Sequence, residues 1–563
     1  MFDPIGAAIR IIDDVRDAVA PAVLWPANGR LNDPSLAGAQ ARAALGRDVV
    51  ARIAAIDVDA LPGALARILR IIRGRAEYWV VQPAWYWTVF DPGGGEMFSM
   101  FALTPYGGSG VLTGLPAALG RADLSSEAAR ARYLAGLHDL GDQLDAFAAR
   151  TRGQAERKIF MPRAQAEAAR QLLHRLSTDL PRGLSIDEAR LAGEVAFKRE
   201  VESVVARRVT GGLSRIADVL DAAYLGQTRE AVGLMHYPDG AEIYAALVRL
   251  HGNTDLSPAE VHELGLARMS AIRAGMAAAR RDAGFEGDDR AYRAHLDADP
   301  AWRASTPQAL SDVFERYIAR LRPHMAGVFN LLPQADYGVR PLPEAMSAAM
   351  TFGYYDAPSP AKPRGEYVFN AQNLAKSNTS TLASLNFHEL APGHHLHLAL
   401  QRENQGLPAL RQWCMPTAYV EGWAEYAVTL AEELGMFEHP AERFGRYINE
   451  AFLASRLVVD TGLNALGWSL ERARAYMAEN SFFPETEINS ETLRYSADIP
   501  GQALAYKLGD RAILDLREAM RRRLGARFDI RDFHDVVLGD GAMPIPVLAE
   551  AVEARTRALE AAP

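Results

Sequence analysis

Four of the chain's 13 histidines fall within ten positions, in the stretch SLNFHELAPGHHLHLAL at 384–400. A His-Glu pair on a helix sets a metal ligand beside a general base, the pairing with which zinc hydrolases activate water. The second imidazole of such a site normally stands four residues on, one turn along the same face. Here that position is Pro392, which cannot bind metal, removes a backbone donor and crowds the carbonyl of His388. In an unbroken helix His394 would point about 240° away from His388, and His395 would return to the face about 10 Å along the axis. Ligand nitrogens that must each lie about 2 Å from one ion cannot be so arranged. Either the segment holds no metal, or Pro392-Gly393 bulges the helix and swings one imidazole back. A kink at Pro-Gly is the expected physical result, and the bulge is preferred.

The second element is TAYVEGWAEYAVTLAEEL at 417–434, where Glu421 and Glu425 stand one helical turn apart on one face. Glu421 is surrounded by Tyr419, Val420, Trp423 and Ala424, and a carboxylate on an apolar face costs free energy unless it is paired or binds metal. With a His-Glu helix some thirty residues upstream, Glu421 reads as a third zinc ligand. Three protein ligands leave a position for water, whose proton Glu389 would take and pass to a leaving amine.

The elements that must carry these residues are mostly helices. Apolar residues recur at helical spacing over 125–150, 258–283, 308–331 and 395–404, with helix starts at Ser125-Ser126-Glu127 and at Ser257-Pro258 followed by Glu260. Strand-like segments are few: 78–90 (YWVVQPAWYWTVF), 349–355 (AMTFGYY) and 364–370 (RGEYVFN). The expected fold is mainly α, a large single helical body like that of zinc peptidases, with a small β element beside the active-site helix. A mostly helical portion over 1–340 would precede a catalytic portion over 341–563. Pro and Gly clusters at 91–95, 104–110 and 356–364 punctuate the chain without dividing it into modules. The triple glycine at 93–95 lacks the Lys and Ser/Thr of a phosphate loop and reads as a turn.

Composition excludes several classes. Sixty-one basic against seventy acidic residues give a net charge of −9, which disfavours a nucleic-acid binder. The single cysteine, Cys414, rules out an intramolecular disulfide and a four-cysteine zinc module. Asp3, Arg10, Asp13 and Asp14 interrupt the N-terminal run, so it reads as neither a secretory signal nor an anchor, and no stretch is apolar for the roughly 18 residues a membrane span needs. A cytoplasmic location with no membrane partner is expected.

HELAPGHH at 388–395, EGWAEYA at 421–427, RLVVDTGLNALGWS at 456–469 and RYSADIPGQALAYKLG at 494–509 together resemble the bacterial family called domain of unknown function 885. GYYDAPSPAKPRGEYVFN at 353–370 fits it as well. The family is similar in turn to helical zinc peptidases such as thimet oligopeptidase and carboxypeptidase Taq. Aligning the Gly-His of their HEFGH-like helix with Gly393-His394 leaves a two-residue insertion, which makes His394 the implied second ligand of Zn2+. The same resemblance places Tyr506 and Tyr495 in a tyrosine-bearing loop, as candidates to stabilise an oxyanion. Family members often carry His where this chain has Asn464, which can donate a hydrogen bond but cannot take up a proton.

Other assignments come from residue type. Arg494 and Arg456 could grip a substrate carboxylate with a two-pronged guanidinium, and strand 365–370 could offer its edge to an extended peptide. Asp460, Glu425 and His395 are candidates to support the ligands from behind. The expected function is hydrolysis of a short peptide or small amide. The alternatives are a non-peptide metalloenzyme on the same scaffold and a helical binding protein without catalysis; the intact Glu389 argues against the latter.

Overall fold

Ala, Leu, Arg and Glu, all strong helix formers, dominate the chain, and the protein is mainly helical with one small sheet. The computed structural model describes residues 3–19, 32–92, 97–104, 107–108, 110–186, 195–342, 353–359, 362–371, 374, 378–412 and 414–562. The triple glycine at 93–95 and residues 349–352 of an expected strand lie outside them. Contacts divide the chain into two units: 1–244 with 463–470 and 491–500, and 245–462 with 471–490 and 501–563.

The first unit is built on the helices Leu36–Ala54, Gly63–Trp85, Glu127–Glu156 and Arg163–Gly183. Ser126 caps the third of these by accepting from the Ala129 amide, as its position predicts. Segment 78–90, expected as a strand, is helical as far as Trp85 and then turns. Its aromatic and valine content suits a pleated surface, but packing overrides that preference. Trp79 and Gln82 are buried, and Gly46 of the neighbouring helix lets the two backbones approach so closely that a Cβ there would meet the Ala76 carbonyl at 2.6 Å.

The second unit carries the sheet and the predicted chemistry. Ser257 and Glu260 form a complete capping box at the start of Pro258–Asp282, as expected. Strands β1 (Tyr337–Pro341), β2 (Tyr354–Asp356) and β3 (Gly365–Phe369) lie in the order β1-β3-β2, with β3 parallel to β1 and antiparallel to β2. The sequence boundary at 340/341 falls within β1. Because β3 is the middle strand, both its edges are already bonded, so the expectation that segment 365–370 offers an edge to a peptide is corrected. Helix Pro307–Leu321 covers one face of the sheet through Leu310, Phe314 and Ile318 against Tyr367 and Phe369.

After the sheet come α1 (Leu382–Glu389), α2 (His394–Glu403), α3 (Thr417–Glu433) and α4 (Pro440–Ala465), and later α5 (Ala505–Leu524) and α6 (Ile530–Gly539). Helices α3 and α5 cross at paired glycines. A Cβ on Gly509 would sit 1.8 Å from the Ala418 carbonyl, and one on Gly422 would sit 2.4 Å from the Gly509 carbonyl carbon. Glycine at both positions therefore permits a backbone approach that any side chain would block, and it brings the start of α5 against the acidic face of α3.

Candidate metal centre

The expected distortion of the His-Glu helix is a full break. Helix α1 ends at Glu389, residues 390–393 turn, and α2 begins at His394. The Ala391–Pro392 peptide is cis. The turn is held by Trp423 Nε1, which donates to the Pro392 carbonyl at 2.9 Å, and by the His395 amide, which donates to the Leu390 carbonyl at 3.2 Å. Gly393 is needed for space rather than for handedness. Its φ is −79°, but a Cβ would lie 1.9 Å from the His388 carbonyl oxygen and 2.5 Å from that of Phe387.

The break places His394 opposite His388, with ring centroids 4.8 Å apart and planes at 86°. Glu421, from the first turns of α3, completes the group: one ligand atom from each of His388, His394 and Glu421 lies within 4.8 Å of the others. The Glu421 Oε2 atom is 3.7 Å from His388 Nε2 and 3.5 Å from His394 Nε2. Tetrahedral ligands at about 2.0–2.1 Å from zinc stand roughly 3.3 Å apart, so the donor set fits such an ion with small adjustments. The three side chains are 12%, 11% and 18% exposed, leaving the group sheltered with an open side.

Each histidine is held from behind at Nδ1, which leaves Nε2 to the cluster. The Glu425 carboxylate lies 2.9 Å from His388 Nδ1. Glu425 is itself paired with Lys507 Nζ at 3.2 Å, and that buried ammonium also meets Asp510 and, at 3.5 Å, Glu450. Arg268 and Arg446 close this network on the far side of Glu450. Burial would push the His388 imidazole down, yet Glu421 and Glu425 raise it to about 10. Burial would likewise raise Glu421, but His388 and His394 hold it well below the usual carboxylate range. Glu389 goes the other way: burial lifts its carboxyl above its ordinary value against the pull of His388 and His394. A carboxylate moved in that direction is a better proton acceptor.

The remaining sequence candidates divide by unit. Tyr506, at the start of α5, stacks nearly parallel to His388, at 6.4 Å and 11°. The Arg456 guanidinium lies 4.6 Å from the centre of the Tyr506 ring and 4.7 Å from that of Phe452. Both Asp460 carboxylate oxygens accept from the Gly501 amide, at 3.0 and 3.1 Å, so Asp460 fixes the turn that leads into α5. His395 is corrected. It turns to the sheet, where the Tyr355 hydroxyl is 2.7 Å from Nδ1 and the Ala335 carbonyl 3.2 Å from Nε2. Tyr495, Arg494 and Asn464 belong to the first unit. There Tyr495 and Arg494 bond Glu491, while Asn464 accepts from the Leu234 amide and donates to the Tyr495 carbonyl. The sequence pattern assigned no functional role to His397, which it counted only among the clustered histidines, or to Lys507; the structure buries both. His397 lies three residues from His394 on one helix, a spacing that puts both on one face; nothing local marks Lys507.

A family model described as "Bacterial protein of unknown function (DUF885)" matches residues 20–552. The chain belongs to this family. None of the curated proteins matches it. Two solved members of the same fold are each described as a "putative lipoprotein". One, from Colwellia psychrerythraea, is 24% identical, with a TM-score of 0.84 over 98% of both chains. The other, from Shewanella oneidensis and of unknown function, is 19% identical, with a TM-score of 0.73 over 98% of this chain and 99% of its own. The cytoplasmic expectation is corrected by these neighbours, since lipoproteins are held at a membrane surface. Among the described residues no helix is long and apolar enough to cross a membrane.

Proposed function

We propose that this DUF885 protein is a zinc-dependent hydrolase of peptide or amide bonds, with His388, His394 and Glu421 as the metal ligands. The observation that carries the reading is the approach of those three side chains to within 4.8 Å, with Glu389 next in sequence to the first ligand. A purely structural zinc site has no use for an adjacent half-buried carboxylate whose proton affinity is raised. When bound, the ion supplies Lewis acidity and lowers the pKa of a water in its open position. Glu389 accepts the proton of the attacking water and returns it to the leaving amine. Glu425 keeps the proton of His388 on Nδ1 and so leaves Nε2 as the ligand atom. Tyr506, whose ring stacks on that of His388, would donate to the developing oxyanion.

The test joins elemental analysis of the purified protein to a panel of short peptides with free and blocked ends. About one zinc per chain, lost in His394→Ala and retained in His395→Ala, is expected, together with cleavage of some panel member. Zinc retained in full by His394→Ala, or cleavage that persists after the metal has been stripped, overturns the proposal.

A further inference from the structure

We infer that His397 is a positioning residue that fixes the tautomer and ring orientation of His394, an inference that rests on the zinc reading above. His394 and His388 both turn Nε2 towards Glu421. A neutral imidazole carries one N–H, so a ligand that binds through Nε2 must keep its proton on Nδ1. His388 hands that proton to a carboxylate, Glu425. His394 has no carboxylate behind it; its Nδ1 faces His397 Nε2 at 3.2 Å, with ring planes at 62°. His394 therefore donates, and His397 accepts through Nε2.

This assignment forces the state of His397. With Nε2 as acceptor its own proton sits on Nδ1, and that atom is buried without a hydrogen-bond partner among the described residues. The side chain is 2% exposed and enclosed by the Tyr419 ring 6.0 Å away. A buried N–H left without an acceptor costs folding free energy, and sequences retain such groups where function needs them. The reverse arrangement, with His397 donating from Nε2, would put the His394 proton on the very nitrogen that faces Glu421 and would block it as a ligand. The two ligand histidines are thus unequal. His388 is backed by an anion and His394 by a neutral ring, so His394 depends on the exact placement of one weak acceptor.

The experiment compares His397→Leu, which cannot accept a hydrogen bond, with His397→Gln, whose amide oxygen can take the place of Nε2. Zinc affinity is read by competition with a chelator, and thermal stability is read on metal-free protein. His397→Leu is expected to lose about 10- to 100-fold in affinity, the range for removing a partner behind a metal ligand. His397→Gln should stay within about threefold of the parent. Metal-free His397→Leu should melt no lower than the parent, because the orphan N–H is gone; a merely structural histidine would give lower stability with unchanged affinity. His397→Met takes the place of the leucine variant if that one does not fold. Parent-like affinity in the leucine or methionine variant, or equal losses in the glutamine and leucine variants, overturns the role of His397 alone. A parent protein that binds no zinc overturns the metal reading and this inference with it.

Discussion

Replacing Gly393 with alanine tests the geometry on which the metal centre depends. The added Cβ would sit 1.9 Å from the carbonyl oxygen of His388 and 2.5 Å from that of Phe387. Restoring van der Waals contact needs a retreat of roughly 1.5 Å or more, and the atom that must retreat belongs to a ligand residue. Gly393 is also joined directly to His394, so the strain falls on both ligand histidines at once. Overpacking of this kind costs about 1–3 kcal/mol. Without metal the two helix ends can part and relieve it; with metal bound, the ligands must be brought back to their spacing. If that cost is charged to binding, zinc affinity falls about 5- to 150-fold, at 1.4 kcal/mol per tenfold. Chelator competition on Gly393→Ala measures it, with circular dichroism to show that the helices persist. Gly327→Ala is the control, because a Cβ there meets nothing within 4 Å. A folded Gly393→Ala protein whose zinc affinity lies within threefold of the parent would falsify the claim that this break builds the site.

Three further outcomes are expected. Glu389→Gln is nearly isosteric and removes only the basic carboxylate, so it should keep its zinc and lose hydrolysis; activity within threefold of the parent on any cleaved peptide would take Glu389 out of the mechanism. Lys507→Met leaves Glu425, Glu450 and Asp510 without the ammonium that joins them, and urea unfolding should show a loss of about 3–5 kcal/mol, whereas a change under 1 kcal/mol would mean the network is not held by charge. Burial depresses His251 and His534 to about 4, and His534 also accepts from the Tyr426 hydroxyl at Nε2 while donating from Nδ1 to the Val328 carbonyl. Their unfolded forms bind protons first, so their contribution is fully present above about pH 6.5 and is lost as pH falls towards 4, up to about 3 kcal/mol each. A flat urea midpoint between pH 7 and pH 4.5 would contradict that assignment.

Much of the candidate site was legible in local sequence. Residue types at helical spacing identified α2, α3 and the capped helix Pro258–Asp282, and the metal candidates His388, His394 and Glu421 do converge. The Pro392-Gly393 pair signalled an interruption because proline cannot continue the hydrogen-bond ladder, a property of the residue itself. Other assignments depended on which distant backbone packs where, and local spacing holds no record of that. Segment 78–90 became helix because Gly46 admits a close neighbour. Segment 364–370 became the middle strand only because β1, unmarked in the sequence, pairs along it. His394 and His395 differ by one position, yet one faces Glu421 and the other Tyr355, a choice made by the turn at 390–393. The support from Lys507, more than eighty residues beyond Glu425, exists because Gly422 and Gly509 let two helices touch. Which side chains can bind a metal is written in their types; which of them meet is decided by how closely the backbones that carry them can approach.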